Sequence, residues 1–140
     1  MKLLKDILYG APILDSAGST NVAVQSVVFD SRKVSQESLF VAVPGTQVDG
    51  HNYIETAISL GARSIVCEQM PSEINNDITY IKVKDAHSTL GILASNFFDN
   101  PSSKLKLVGI TGTNGKTTVA TLCHRLFMSL DQQSGLLSTV

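Results

Sequence analysis

Cysteine is scarce in this 140-residue sequence, which has only Cys67 and Cys123. The two lie far apart, each within an apolar stretch and neither in a Cys-x-x-Cys pair, so a disulfide framework or thiolate metal site is not indicated and both read as packing residues. An excess of basic charge is missing too. With a formal net charge of −1 and no cluster of Lys and Arg, the chain offers no surface suited to a nucleic-acid backbone. No unbroken apolar run approaches the ~20 residues that span a bilayer, and the N-terminus has no apolar core or cleavage site of a secretory signal. The expectation is therefore a cytoplasmic protein without membrane insertion or a nucleic-acid partner. Internal repeats and low-complexity tracts are also lacking.

What is present is enough apolar material for a core: 43% hydrophobic residues against 16% charged ones. The length suits one domain, or a domain of about 100 residues with part of another. Leu3, Leu4, Ile7 and Leu8 predict a short amphipathic helix stopped by Gly10 and Pro12. Residues 22–29 alternate as a strand, and Leu39 to Val43 form a nearly continuous apolar strand ended by Pro44-Gly45. Tyr53, Ala57, Ile58 and Leu60 fit a helix capped by Gly61, followed by strands over Ser64–Cys67 and Thr79–Val83 and a helix over Ala86–Phe98. This alternation predicts an α/β layer architecture, with a mixed rather than wholly parallel sheet near the N-terminus.

The stretch Gly109-Ile110-Thr111-Gly112-Thr113-Asn114-Gly115-Lys116-Thr117-Thr118 has the makings of a phosphate-binding loop. An apolar run, Leu105 to Ile110, reads as the strand that feeds it. Val119, Leu122, Cys123, Leu126, Phe127 and Leu130 follow at helical spacing. Glycines at 112 and 115 let the backbone turn tightly and aim several N–H groups at one anion, and the helix adds the positive end of its dipole. In that arrangement Lys116 reaches the terminal phosphates of ATP and the Thr117 hydroxyl ligates Mg²⁺. One position departs from the general pattern: Ile110 stands where a glycine is usual, and the glycines fall at 109, 112 and 115.

Asp99-Asn100-Pro101-Ser102-Ser103 clusters turn residues and reads as a linker. The domains expected are residues 1–100, a linker at 101–104, and the start of a second domain at 105–140. Only 36 residues follow Lys104, whereas a nucleotide-binding α/β domain needs roughly 100. The reading is one small mixed-sheet domain followed by the opening strand, loop and helix of a truncated ATP-binding domain. The apolar face of that severed unit is expected to be mobile, to repack on the first domain or to pair with another copy.

Three blocks together carry a resemblance: Val28 to Val34 with its Asp30-Ser31-Arg32, Leu39 to His51, and Gly109 to Thr118. In order and spacing they resemble the Mur ligases of peptidoglycan synthesis, and within that family the MurE branch more than the MurF branch. The likeness extends from about residue 20 to 140. It implies an ATP- and Mg²⁺-dependent, ADP-forming amide ligase that phosphorylates the terminal carboxylate of a UDP-muramoyl peptide and lets an incoming amine attack the acyl phosphate. For a MurE-like enzyme the partners implied are UDP-MurNAc-L-Ala-D-Glu and a diamino acid, meso-diaminopimelate or L-lysine.

The resemblance also implies roles for single residues. Gly112, Thr113, Asn114, Gly115, Lys116, Thr117 and Thr118 would hold ATP, with Lys116 catalytic and Thr117 reaching Mg²⁺ through the nucleotide. Ser31, Thr46, Gln47 and Val48 would hold the UDP end of the substrate. Plainer uses exist for several neighbours: Asp30 and Ser31 suit a strand-end turn, Asp49-Gly50-His51 a turn into a helix, and Arg32 either a phosphate or Asp30. His87 and His124 read as surface or packing residues. A different nucleotide-binding protein, such as a small kinase or GTPase-like switch, stays open as an alternative, as do a MurF-type ligase adding D-Ala-D-Ala and a UDP-sugar-binding module without catalysis.

Overall fold

The computed structural model describes residues 1–45 and 48–138. The chain divides into two units, Met1–Lys104 and Leu105–Val140. In the first unit β1 (Lys2–Leu3) runs into α1 (Leu4–Ile7), followed by β2 (Ile13–Ala17), β3 (Ala23–Val24), β4 (Ser26–Val28) and β5 (Ser38–Val41). Then come α2 (Ile54–Ser59), β6 (Ala62–Cys67), β7 (Thr79–Val83) and α3 (Ala86–Phe97). Short 3₁₀ turns stand at Ser31–Lys33, Gly50–Tyr53 and Pro101–Lys104.

Five strands make one sheet in the order β2-β7-β6-β5-β4. β4 to β7 run parallel, and β2 joins the β7 edge antiparallel, so the sheet is mixed as the sequence predicts. Side chains alternate between the two faces of a strand, and here both faces are covered. Leu39, Val41, Val66, Ile81 and Val83 pack with Leu4 and Ile7 of α1 and Leu93 of α3. On the other face Phe40, Ile65, Cys67 and Tyr80 pack with Ile54 and Ala57 of α2. This two-sided burial explains why β5 and β7 read as nearly continuous apolar runs. Burial also pushes the Cys67 thiol up to about 11, away from reactivity at neutral pH.

Three expectations need correction. The strand predicted over residues 22–29 is two short ones divided at Gln25: β3 pairs antiparallel with β1, while β4 pairs parallel with β5. The Gln25 amide donates to the Glu37 carbonyl at the break, over 3.0 Å. β2 was not foreseen; its first four residues are exposed, so no buried stripe marks it. Leu105–Ile110 forms no strand, because strand structure needs a neighbour to share its ladder and the described residues supply none.

In the second unit α4 (Lys116–Ser129) is the only regular element among the described residues. The chain after it folds back: the Gln132 amide donates to the Phe127 carbonyl over 2.9 Å, and His124 Nδ1 lies 2.7 Å from Ser134 Oγ. No described residue from 105 to 138 is buried, and Leu107, Val108, Leu122, Leu126 and Leu130 are exposed. No helix among the described residues is long and apolar enough to cross a membrane.

Candidate functional site

Parallel strands deliver all their carboxyl ends to one edge of the sheet, the edge at which open α/β sheets place ligands. In the first unit that edge carries Asp30-Ser31-Arg32 after β4, the loop from Pro44 to Asp49 after β5, Glu68 and Gln69 after β6, and Asp85 after β7. Asp30 caps the 3₁₀ turn of Ser31–Lys33 by accepting from the Arg32 amide. Its carboxylate also takes a two-pronged pair from Arg32, Nε to Oδ1 at 2.9 Å and Nη2 to Oδ2 at 2.8 Å. The Arg32 side chain, through these hydrogen bonds, holds the Asp30 carboxyl down at about 2, aided by the Arg32 amide and the charge of Lys33. Arg32 is thus paired with Asp30. The Ser31 hydroxyl is half-buried and has no hydrogen-bond partner among the described residues.

The loop after β5 is built tightly. Pro44 and Asp49 form an antiparallel bridge at its neck, the Gly45 amide donates to the Val48 carbonyl (3.0 Å), and the Gly50 amide donates to the Val43 carbonyl (3.0 Å). A Cβ on Gly50 would lie 2.7 Å from both the amide nitrogen and the carbonyl oxygen of Val43, so glycine is required there. Val48 is 54% exposed. Thr46 and Gln47, the other two residues expected to meet the uridine end of a substrate, lie outside the described residues.

Asp49-Gly50-His51 is more than a turn. Asp49 Oδ1 accepts from the His51 amide (2.9 Å) and lies 2.7 Å from His51 Nδ1. The other ring nitrogen, Nε2, accepts from the amides of Glu68 (2.9 Å) and Gln69 (3.3 Å) at the end of β6. The His51 amide and then its ring hold the Asp49 carboxyl below its usual range. Glu68 in turn accepts from the Ala86 amide (2.9 Å), and Asp85 accepts from the amide and hydroxyl of Ser88. Those two carboxylates thus cap the start of α3. A turn signal at Asp49 is visible in the sequence; the bond from His51 to β6 spans 17 residues and is not.

In the second unit Gly112 and Gly115 have φ of +150° and +75°, conformations that favour glycine. Gly115 is the residue before α4, and no side chain caps that helix end. The first-turn amides of Lys116, Thr117 and Thr118 have no helical acceptor and remain available as donors. Lys116 Nζ donates to the carbonyls of Gly112 and Thr113, folding the lysine across the loop, with Asn114 between. Thr117 Oγ1 lies 3.3 Å from Ser138 Oγ. Uncapped amides, two glycines at positive φ and a cation over the loop fit a polyphosphate. The described residues hold no group of three or more His, Cys, Asp or Glu placed for a metal ion.

Comparisons with known proteins agree on one family. The family described as "Mur ligase family, catalytic domain" matches residues 23–98. The UDP-N-acetylmuramoyl-L-alanyl-D-glutamate–2,6-diaminopimelate ligase of Cytophaga hutchinsonii is 52% identical over 138 residues, 98% of this chain and 28% of its own length. Its namesake in Phocaeicola vulgatus is 46% identical over 140 residues, 100% of this chain and 29% of its own. The chain thus spans under a third of the curated relatives it matches. Among solved structures, the MurF ligase of Thermotoga maritima in complex with ADP superposes with a TM-score of 0.55 at 30% identity, over 76% of this chain and 24% of that one. On the match to residues 23–98, more than half of its length, this chain belongs to the Mur ligase family.

Proposed function

We propose that this chain is the N-terminal part of an ATP-dependent, ADP-forming ligase that adds meso-diaminopimelate to UDP-MurNAc-L-Ala-D-Glu in the cytoplasm. The observation that carries the reading is the 52% identity over 98% of the chain to a ligase named for that substrate pair. The relatives named above carry diaminopimelate rather than L-lysine in their names, which favours the former. A MurF-type reaction has no such support, since the likeness to the MurF structure is weaker, 30% over 76% of the chain.

The chemistry asked of the two units differs. A carboxylate is a poor electrophile, and ATP with its Mg²⁺ supplies the phosphoryl group that turns the terminal carboxylate of D-Glu into an acyl phosphate. Lys116 trades the carbonyls of Gly112 and Thr113 for phosphate oxygens, the amides of residues 112–118 hold the remaining charge, and Thr117 presents its hydroxyl to the metal. The carboxyl edge of the first unit, with the free hydroxyl of Ser31 and with Thr46, Gln47 and Val48, holds the uridine diphosphate as a handle. The amine of the diamino acid then attacks the acyl carbon and phosphate leaves.

Calorimetric titration tests the division. UDP-MurNAc-L-Ala-D-Glu and UDP should both bind this chain, each about 10-fold more weakly after Ser31→Ala, the loss of one hydrogen bond to a charged group. Lys116→Ala should leave both affinities unchanged and weaken only ATP·Mg²⁺. Binding of ATP without any uridine compound would overturn the assignment of the first unit.

A further inference from the structure

The imidazole of His51 joins two loops that are not neighbours in sequence. Glu68 and Gln69 present backbone N–H groups, which only donate, so Nε2 is the acceptor and the ring proton sits on Nδ1, where the Asp49 carboxylate receives it. The His51 side chain is only 15% exposed, wedged between the neck of the 44–49 loop and the end of β6. Asp49 is itself half of the bridge with Pro44 that closes the neck, and Glu68 caps α3 through Ala86. A single ring therefore links the carboxyl ends of β5 and β6, and the Glu68 carboxylate carries the link on to the start of α3.

We propose that His51 is a positioning residue for uridine-substrate binding: its ring fixes the neck of the β5 loop, and with it Val48, against the end of β6. This role rests on the proposed binding of a uridine diphosphate at the carboxyl edge. His51 touches no substrate atom in this scheme and acts through the loop. Of its three bonds, the one to Asp49 is local and is backed by the His51 amide on the same carboxylate. The bonds to the Glu68 and Gln69 amides both end on Nε2 and join the two loops, so the acceptor at Nε2 carries the effect.

Three variants of this chain separate the bonds. Asparagine places an N–H near the position of Nδ1 and keeps only the Asp49 contact; glutamine places an oxygen near Nε2 and keeps the acceptor for Glu68; alanine keeps neither. UDP affinity is read by calorimetry, and protection of the Glu68 amide by hydrogen exchange followed by NMR without ligand. His51→Ala and H51N should speed exchange at Glu68 and weaken UDP about 10-fold, while H51Q should restore both to within about 3-fold of the unmodified chain. Faster exchange at Glu68 with unchanged UDP affinity would overturn the positioning role and leave the ring a purely architectural contact. Equal loss of UDP affinity in all three variants would overturn it as well. If the unmodified chain bound no UDP, the uridine reading itself would fall and this role with it, whereas a protected Glu68 amide would still show the link between the loops.

Discussion

The two units of this chain are made of similarly apolar sequence and differ in what that sequence touches. In Met1–Lys104 the apolar side chains of β5, β6 and β7 point alternately to two helical layers and are shielded on both faces. In Leu105–Val140 leucines and valines at equally regular helical spacing find no second layer, and none of the described residues is buried. Periodicity makes a helix amphipathic; only a partner makes it stable, because most of the stability of a helix comes from packing rather than propensity. The same difference divides the two candidate sites. The carboxyl edge of the first unit is braced by side chains from neighbouring loops, whereas the glycine loop relies on its own backbone and on Lys116.

Matched substitutions sharpen the contrast, and the largest effect belongs to the core. Leu93, 0% exposed, should cost about 2–5 kcal/mol on replacement by alanine, and Leu122, 59% exposed, no more than about 0.5 kcal/mol, both read from urea denaturation of the whole chain. Equal losses at the two sites would break the comparison, since they would mean that α4 is covered in solution.

Glycines supply a smaller test. Gly50→Ala drives a methyl group into the Val43 backbone and should destabilise by about 1–3 kcal/mol, whereas Gly135→Ala meets no heavy atom within 4 Å and should be neutral or stabilising by at most about 1 kcal/mol.

The smallest effect is that of pH. Asp30, Asp49, Asp85 and Asp99 all lie in the first unit and all have carboxyls held below their usual range by hydrogen bonds, Asp30 at about 2 against an ordinary 3.8. A lowered value in the folded state gives stability that is present above the unfolded value and lost as pH falls through the folded one. The urea midpoint of the first unit should therefore hold from neutral pH to about 5 and decline modestly toward about 2, less so in Asp30→Asn. Asp49, Asp85 and Asp99 are exposed and Asp30 is half-buried at the surface, so the decline is shallow. A midpoint that instead fell between pH 7 and 5 would point to groups other than these four.

The features visible in the sequence are those with a local period. β7 was predicted over its full span and β6 over its last four residues, and α3 ends one residue earlier than expected, because burial on both faces writes long apolar runs into the chain. The glycine loop was legible because its chemistry needs specific residues in a row. What escaped depends on a partner. Exposed β2 is a strand because β7 accepts it, and the break at Gln25 reflects two different neighbouring strands. Leu105–Ile110, strand-like in composition, stays without a ladder for the same reason. Within the candidate site, the pairing of Arg32 with Asp30 was one of two options the residues allowed, while the reach of His51 to Glu68 required the fold.

The two thiols end up as one for each unit. Cys67 is sealed in the sheet beneath α2, its sulfur 3.9 Å from that of Met70, and Cys123 sits half-covered on α4. An alkylating reagent meets the second directly and the first only when the sheet opens, so this chain contains its own clock for the opening of the first unit, with Cys123 as the reference that marks the start, without any label being added.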